Sequence, residues 1–334
     1  MNKKSGKVTK IFIIIFSIIL IIAIGIAIYL YSKLSKINYE EIDKSDLAVN
    51  EELYDIVKDN VDSQLSEKEF NDVVNFVLFG SDSRDVNSME AGRSDTIIIV
   101  SINPKNKSIK LISIPRDTYV TVPGYGKTKI NHAYAYGKEQ LSIKTINTNF
   151  EMNLTEYATI DFSGLVNIIN DIGGIELTIT DEEMNYINAG AVYGAQYTGN
   201  TVPNLTHSGK VLLSGEQALA HSRNRKVGND FTRASRQRDV IEALINKISD
   251  MDINQILSLS DEFLKEIKTN INVTNYVGLL TSILANKNEY LNNITSVQVP
   301  SSEYASGEMI NGIYYFVSDI EKAKQDMYKI IYEK

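Results

Sequence analysis

The chain has 334 residues, with 42 acidic and 34 basic side chains, a net charge of −8 and no cysteine. The acidic balance argues against a nucleic-acid-binding protein, because such a protein needs a broad basic surface. The absence of cysteine excludes disulfides, thiolate metal sites and cysteine nucleophiles. The three histidines, His132, His207 and His221, are scattered along the sequence, which argues against a catalytic zinc site.

The N-terminal 31 residues have the pattern of a membrane anchor. Residues 1–10 carry four lysines and no acid, and residues 11–31 carry no charge. A helix over residues 11–31 would be about 31 Å long, which matches one hydrocarbon core. Basic residues before this run and an acid-rich segment after it predict a cytoplasmic tail and an extracellular chain. A cleaved signal peptide is the alternative, but its apolar region is usually shorter and no small-x-small site follows.

The remaining chain divides into a short connecting segment and one large domain. Residues 32–71 are charged and contain no proline or glycine, and their weak helical spacing predicts an extracellular stalk or cap. Residues 72–334 are numerous enough to form one large domain. We therefore expect this second part to carry the chemistry.

Beyond residue 72, β-branched runs alternate with runs of helical spacing. The predicted strands cover residues 73–78, 96–100, 110–114, 118–122, 157–160, 175–180, 295–300 and 309–317. The predicted helices cover about 161–172, 214–220, 231–248 and 318–332, with one more that follows residues 129–136 and reaches about 150, and two more between 251 and 286. We interpret the polar, glycine-rich residues 181–210 as an irregular excursion. The alternation predicts an α/β fold in which a mixed central sheet is covered by helices on both faces.

Acidic residues and arginines occur together at predicted strand ends in three short stretches. These stretches are Gly80-Ser81-Asp82-Ser83-Arg84, Arg93-Ser94-Asp95 and Pro115-Arg116-Asp117. The chain has only eight arginines, and all of them lie within residues 84–116 or 223–238. Because arginine offers a rigid fork of donors that matches phosphate or carboxylate oxygens, this clustering favours an oxyanion site. Structural salt bridges are the alternative for any single arginine.

The second arginine segment contributes residues with helical or extended spacing. Arg223 and Arg225 alternate, so in an extended segment both point to the same side. In a helix that begins near residue 231, Arg233 and Gln237 lie four residues apart on one face. The first turn of such a helix also offers free N–H groups to an anion. Arg236 and Arg238 fit a structural, salt-bridged helix face better.

Carboxylates beside these arginines would repel a bare phosphate. A divalent cation is therefore the natural mediator, since Mg²⁺ commonly takes one or two carboxylates together with substrate phosphate oxygens. The composition thus predicts a Mg²⁺-assisted site for a phosphate or pyrophosphate, with Mn²⁺ as the alternative cation.

Taken in order, these motifs resemble those of the LytR-CpsA-Psr family. The resemblance covers residues 72–247 and includes Lys129-Ile130-Asn131 as well as Arg223-x-Arg225…Asp230-x-x-Arg233-x-x-x-Gln237. It extends to the short N-terminal tail and the single membrane anchor. The sequence departs from the family pattern at His221, where an aromatic or hydrophobic residue is commoner, and at Thr232, where glycine is usual.

The resemblance implies a phosphotransferase at the outer face of the membrane. Such an enzyme moves an anionic glycopolymer, such as teichoic acid or capsule, from a polyprenyl-pyrophosphate carrier onto peptidoglycan. The implied catalytic residues are Asp82, Asp95, Arg116, Asp117, Arg223 and Arg225, of which Asp82 and Asp95 would hold Mg²⁺. The implied pyrophosphate-binding residues are Arg84, Arg93, Arg116, Arg223, Arg225, Asp230, Arg233 and Gln237. The acceptor hydroxyl would lose its proton to Asp117 or to a metal-associated carboxylate.

Two other functions remain open at this stage. A hydrolase could use the same cation and arginines with water as the acceptor, and would release the polymer from its carrier. A non-enzymatic protein could bind the lipid pyrophosphate and regulate envelope assembly. The sequence does not identify the polymer, the residues that line the lipid-tail cavity or the oligomeric state.

Overall fold

The computed structural model of the protein describes residues 38–81, 92–224, 226–227, 230–252, 255 and 265–333. The predicted cytoplasmic tail at 1–10 and the predicted anchor at 11–31 lie outside the described residues. Among the helices of the described ranges, none is both long enough and apolar enough to cross a membrane.

Thirteen strands and ten α-helices make up the described part of the chain. The strands are β1 (Asn38–Tyr39), β2 (Val74–Ser81), β3 (Ser94–Asn103), β4 (Ser108–Ser113), β5 (Tyr119–Val122), β6 (Gly126–Lys129), β7 (Tyr157–Asp161), β8 (Ile175–Ile179), β9 (Gly209–Leu213), β10 (Ile267–Thr269), β11 (Ile294–Gln298), β12 (Ala305–Ile310) and β13 (Ile313–Ser318). The helices are α1 (Leu53–Asn60), α2 (Glu67–Asp72), α3 (His132–Phe150), α4 (Phe162–Asp171), α5 (Asp181–Thr198), α6 (Gly215–Ser222), α7 (Asp230–Asp250), α8 (Val277–Ala285), α9 (Lys287–Leu291) and α10 (Ile320–Tyr332).

Seven of these strands form the central sheet, in the order β1-β10-β7-β2-β3-β4-β11. Strand β2 is antiparallel to β3 and parallel to β7, and β4 is antiparallel to β3 and parallel to β11. The sheet is therefore mixed, and the predicted α/β class is confirmed. The pairs β5–β6, β8–β9 and β12–β13 form separate antiparallel hairpins beside it.

Strand β3 illustrates why both faces of the sheet are covered. Ile97 and Ile99 pack into one hydrophobic cluster, which also contains residues of α3 and α10. Ile98 and Val100 pack into another, which contains Tyr290 of α9 and is flanked by residues of α7. Successive side chains of a strand point to opposite faces, so this apolar run supplies a core on each side.

The described part of the predicted stalk or cap packs against the domain. Leu47, Leu53, Val57 and Leu65 are buried in the same cluster as strands β2 and β3. Helix α2 begins with a capping box in which the Ser66 side chain accepts from the Glu69 N–H and the Glu69 side chain accepts from the Ser66 N–H. From residue 38 onward, this segment therefore contributes to the main hydrophobic core.

The predicted excursion at 181–210 is wrong for its first half, which forms the long helix α5. Thr180 caps α5 in a second capping box, with Glu183 as its partner. The glycines that suggested a loop serve helix packing instead. A Cβ at Gly194 would lie 2.7 Å from the Cα of Glu216 on α6, so only glycine allows this close approach.

Two smaller differences concern the C-terminal part of the chain. Of the two helices predicted between 251 and 286, α8 is present among the described residues, but the three-residue strand β10 precedes it. The run predicted as one strand at 309–317 is the end of β12, a turn and most of β13. The turn contains Asn311 and Gly312, both at positive φ, which is the Asn-Gly signal of a hairpin.

Candidate active site

A cavity of about 490 Å³ lies where the ends of several central strands meet helices α4 to α7. Its walls include the end of β2, the start of β3, the end of β7 and residues of all four helices. One part of the wall carries charged side chains and the rest is largely apolar. The cavity lining therefore combines a set of charged and polar side chains with a set of apolar ones.

The charged and polar part of the lining contains six of the residues that the sequence analysis selected. Arg93 and Asp95 stand at the start of β3, Arg116 follows β4, and Arg223 follows α6. Arg233 and Gln237 are on α7 and complete the set. Segments that lie far apart in the chain, from Arg93 to Arg233, thus supply four arginines to one cavity.

Arg116 connects two carboxylates at the cavity. Its Nη1 lies 2.5 Å from Oδ1 of Asp95, and its Nε donates to Oδ2 of Asp117 at 3.3 Å. The other oxygen of Asp117 accepts from Nζ of Lys129 at 2.6 Å. These four side chains form a series of ion pairs, called here the ion-pair chain, which consists of Asp95, Arg116, Asp117 and Lys129.

The turn after β4 holds the ion-pair chain in place. The Thr118 N–H donates to the carbonyl of Pro115 at 3.0 Å, and the Phe316 N–H on β13 donates to the carbonyl of Asp117 at 2.8 Å. Asp117 is buried, and it lines a small second cavity that shares Asp95, Arg116, Arg233 and Gln237 with the first. Arg116 therefore borders both cavities and contacts Asp117.

Helix α7 contributes to the site from the opposite side. The Gln237 amide donates from Nε2 to the carbonyl of Asp95 at 3.4 Å, which links α7 to the start of β3. Arg233 precedes Gln237 by one helical turn and lies at the cavity wall, where only 5% of the residue is exposed. The predicted shared face of these two residues is confirmed.

Arg223 and Arg93 border the cavity in different ways. The Arg223 guanidinium lies 4.7 Å from the centroid of the Phe162 ring, a cation–π distance that holds it at the cavity wall. Nε of Arg93 is buried and has no hydrogen-bond partner among the residues that the structure describes. A buried donor without a partner is costly, so a ligand oxygen at this position would be favoured.

Arg236 and Arg238 do not line the cavity. Nε of Arg236 donates to Oε1 of Glu183 at 2.7 Å, and its Nη1 donates to the carbonyl of Asn224 at 3.2 Å. Nη1 of Arg238 donates to the hydroxyl of Ser113. Both side chains are buried, in agreement with the structural interpretation of these two arginines.

Several predicted site residues cannot be placed at the cavity. Asp82, Arg84 and Arg225 lie outside the described residues. Asp230 is the first residue of α7, but its side chain is not among those described. Their assignment to the site stays a prediction.

The donor groups at the cavity fit a cation that is shared with a phosphate ligand. Asp95 borders the cavity and directs one oxygen to Arg116, and Asp161 borders it while its Oδ1 caps α4. Within the described ranges, no three histidine, cysteine or acidic side chains are grouped so as to hold a metal ion by themselves. Mg²⁺ commonly takes only one or two carboxylates and completes its shell with phosphate oxygens and water.

His132 is a neighbour of the site that sequence reasoning left without a role. It begins α3, and its Nδ1 lies 2.8 Å from the hydroxyl of Thr128. Burial, together with the positive charges of Arg93 and Lys129, lowers the pKa of His132, although Asp117 acts in the opposite direction. The imidazole is therefore neutral at neutral pH. Its position directly after the Lys129-Ile130-Asn131 motif is the signal that could have identified it.

The apolar part of the cavity lining could hold a hydrocarbon chain. It is formed by side chains from β7, α4, α6 and α7, among them Ile160, Leu165, Leu219, Val240 and Ile241. An apolar wall that leads to a cluster of arginines suits an amphipathic ligand with an anionic head. The sequence did not separate these residues from ordinary core, because both are apolar.

Comparisons with known proteins identify the relatives of this chain. The sequence profile of the LytR_cpsA_psr family matches residues 28–331. The polyisoprenyl-teichoic acid–peptidoglycan teichoic acid transferase TagU of Enterococcus faecalis is 34% identical over 289 residues, which are 84% of this chain and 79% of that protein.

Solved structures of TagT, a protein of Bacillus subtilis, have the same fold. TagT bound to LIIa-WTA has a TM-score of 0.60 at 26% identity, covering 80% of this chain and 94% of that one. TagT with bound octaprenyl pyrophosphate lipid has a TM-score of 0.57 at 25% identity and the same coverage. The profile match and the similarity to TagU show that this chain belongs to the LytR_cpsA_psr family.

Proposed function

We propose that this protein is a phosphotransferase that moves an anionic glycopolymer from a polyprenyl-pyrophosphate carrier onto peptidoglycan. The observation that carries the proposal is the cavity, in which four arginines and Asp95 adjoin an apolar wall. A transferase name for TagU and a lipid pyrophosphate bound to TagT support it. Teichoic acid is the first polymer to test, and capsule-like or secondary wall polymers are the alternatives.

The carrier would enter with its two chemical parts against the matching walls. Its pyrophosphate would lie against Arg93, Arg116, Arg223 and Arg233, whose planar forks match pairs of phosphate oxygens. Its prenyl chain would lie along the apolar wall, where each buried CH₂ contributes about 0.8 kcal/mol. This orientation directs the glycopolymer toward the mouth of the cavity.

The proposed reaction is a direct displacement at phosphorus. A hydroxyl oxygen of the acceptor bonds to the phosphorus that carries the glycopolymer, and the bond from that phosphorus to the bridging oxygen breaks. Polyprenyl phosphate leaves with the electron pair. The hydroxyl proton passes to a nearby base, for which the Asp117 carboxylate and the neutral His132 imidazole are the candidates.

The arginines would accelerate this reaction through their charge. Phosphoryl transfer requires little covalent chemistry from a protein, so positioning and charge neutralisation supply most of the catalysis. Arg116 is held on Asp95 and Asp117, so its guanidinium is oriented before a ligand arrives. Removal of one such preorganised donor commonly costs about a hundredfold to a thousandfold in rate.

A divalent cation is part of the proposal. Asp95 would be one of its ligands and Asp82 the other, with Mg²⁺ favoured and Mn²⁺ as the alternative. When bound, the cation would neutralise charge on the pyrophosphate oxygens. The proximity of Asp95 to Arg116 supports this assignment, because both would then contact the same phosphate group.

We also propose that residues 11–31 anchor the protein in the cell membrane, with the N-terminus in the cytoplasm and the domain outside. The uncharged run and the four preceding lysines support this topology. A protease added to intact, wall-stripped cells should degrade nearly all of the chain beyond residue 31. Protection of that part would contradict the topology.

One assay separates the transferase from the two other functions. The full chain in detergent is incubated with a polyprenyl-pyrophosphate oligosaccharide and Mg²⁺, with and without peptidoglycan. Sugar phosphate joined to peptidoglycan is the expected product. Free sugar phosphate in both reactions would identify a hydrolase, and intact bound lipid would identify a non-enzymatic binder.

A further inference from the structure

Two tyrosines form an exposed aromatic surface near the ion-pair chain. The rings of Tyr125 and Tyr136 are stacked, with centroids 4.4 Å apart and an angle of 18° between their planes. Their side chains remain in contact with solvent, since Tyr125 is 57% exposed and Tyr136 is 46% exposed. We call this pair the tyrosine platform.

The backbone presents the platform to solvent. Tyr125 lies at the tip of the β5–β6 hairpin between Gly124 and Gly126, which have φ values of 81° and 78°. Left-handed φ values of this kind favour glycine and fix a tight turn. Tyr136 lies in α3, directly before the break in helical geometry at Gly137. Because the two rings leave so much aromatic area in water, the pair contributes less to the core than buried tyrosines would.

The platform is connected to the candidate active site through a short series of contacts. The Tyr136 ring lies 5.9 Å from the His132 ring, whose pKa responds to Arg93 and Asp117. The hairpin that carries Tyr125 ends at Lys129, the last member of the ion-pair chain. The platform is therefore linked to Asp117 through Lys129 and His132, and neither of its tyrosines lines the large cavity or the small one.

We propose that the tyrosine platform binds a pyranose ring of the acceptor glycan. One face of a pyranose carries several C–H groups, and a tyrosine ring offers an apolar face with a polar tip beside it. The exposed platform therefore suits a sugar better than it suits a hydrocarbon tail, which favours a concave, enclosed site.

The direction of the displacement selects the acceptor rather than the carrier. In phosphoryl transfer the attacking and leaving oxygens lie roughly in line through phosphorus. If the carrier leaves toward the apolar wall, then the acceptor hydroxyl approaches from the opposite side of the phosphorus. The candidate bases for its proton, Asp117 and His132, are the residues to which the platform is linked. This assignment rests on the proposed function for the orientation of the carrier.

The first test is equilibrium binding of a soluble peptidoglycan tetrasaccharide to the full chain in detergent, measured by calorimetry. Tyr125→Ala and Tyr136→Ala should each weaken binding by about tenfold, because one aromatic contact is worth on the order of the 1.4 kcal/mol that corresponds to tenfold. Tyr125→Phe and Tyr136→Phe keep the ring and should stay within about threefold of the unchanged protein. Tyr39→Ala, at a tyrosine that is 51% exposed on β1, is the matched control and should change nothing.

The second test is steady-state transfer, with the concentrations of the donor and of the acceptor varied separately. The two alanine variants should raise KM for the acceptor and leave KM for the lipid-linked donor unchanged, at unaltered thermal midpoints. An effect on the donor alone, equal behaviour of all three alanine variants, or no tetrasaccharide binding by the unchanged protein would overturn the platform. Tyrosine-dependent binding without any transfer would instead overturn the proposed function and leave the glycan site standing.

Discussion

Two of the arginines on helix α7, Arg233 and Arg236, lie three residues apart and have different surroundings. Arg233 lines the large cavity beside Arg93, Asp95 and Arg116. Arg236 lies in a buried polar cluster, defined here as Glu183, His221, Asn224 and Arg236, where it donates to Glu183 and to the carbonyl of Asn224. In the cluster, the protein itself supplies the acceptors for the guanidinium. At the cavity, several charged side chains converge on space that a ligand can enter.

This difference distinguishes two uses of the same residue type. A buried guanidinium must be matched by acceptors within the fold, since an uncompensated buried charge is strongly destabilising. A guanidinium at a cavity wall can use its donors for an anionic ligand instead. The clustering of arginine in the sequence therefore indicates chemistry only for those members that line space a ligand can enter.

The largest effect should follow from loss of the proposed cation ligands at the cavity. We expect Asp82→Ala and Asp95→Ala each to reduce turnover of the lipid-linked donor by at least about a hundredfold, because both would hold one cation. The double variant should add less than about threefold, since residues that act as one unit are not additive.

The measurement is turnover with and without a chelator, followed by addition of Mg²⁺. Asp59→Ala, at an exposed acid of α1, is the control. Activity that is indifferent to the chelator would contradict the cation, and two losses that multiply independently would contradict a shared one.

A second prediction compares Arg223, which lines the cavity, and Arg225, which is predicted to join it, with Arg236. Arg223→Lys and Arg225→Lys keep the charge but remove the fork, so transfer should slow by roughly tenfold to a hundredfold, the effect of losing one charge-assisted hydrogen bond of about 1.5–3 kcal/mol. Thermal midpoints should be unchanged. Arg236→Lys should instead lower the thermal midpoint, because the lysine cannot reproduce both of its hydrogen bonds.

The measurement combines turnover by each purified variant with its thermal midpoint. Turnover of folded Arg236→Lys should remain within about threefold of the unchanged protein. If all three substitutions reduce turnover equally at equal stability, then the distinction between cavity and cluster fails for this segment.

The third prediction concerns the apolar wall of the cavity. Leu165→Trp should fill space that a long prenyl chain uses, so KM for a long-chain donor should rise by about tenfold, the equivalent of about two buried CH₂ groups. A donor with a short prenyl chain should be much less affected. Leu212→Trp, at a leucine that is 56% exposed on β9, is the control. Equal effects on long and short donors would place the prenyl chain elsewhere.

The smallest effect concerns the pH dependence of the buried polar cluster. Burial lowers the pKa of His221 to about 4 against an ordinary value of 6.5, with Glu183 acting in the opposite direction and Arg236 in the same one. The unfolded chain therefore binds a proton at this histidine below about pH 6.5, while the folded chain does not. The free energy of unfolding is therefore unaffected by this histidine above about pH 6.5, and it decreases as the pH falls from there toward 4.

At pH 5 the loss should be at most about 2 kcal/mol, which corresponds to a few degrees in the thermal midpoint. His221→Phe should reduce the difference between the midpoints at pH 7.5 and pH 5. Turnover at pH 7.5 should be unaffected, because His221 contributes to the cluster and does not line the cavity. A variant with the same pH dependence as the unchanged protein would remove His221 as the cause.

The sequence predicted the parts of the site that depend on local pattern. Arg93 and Asp95 precede an apolar run, Arg116 and Asp117 follow another, and Arg233 and Gln237 have helical spacing. Strand ends and helix faces have fixed directions, so these positions were informative before the fold was known. Helix α5 was missed because glycine predicts loops, whereas Gly194 here permits close contact with α6.

Other features depend on contacts between distant segments. Strand β10 has only three residues, and its pairing with β7 and β1 brings together segments more than a hundred residues apart. His132 and Tyr136 acquire their neighbours from the β5–β6 hairpin and from the start of β3. No periodicity in a single segment reports such contacts.

By itself, the sequence determined the α/β class, the family motifs and the choice of arginine where a planar fork is useful. The tertiary structure decided which arginines line the cavity and which lie away from it, as with Arg233 and Arg236 on α7. It also decided which apolar residues leave a space and which fill the core. The physical reason is that residue type and spacing set local direction, whereas burial and partners depend on what the rest of the chain places opposite each side chain.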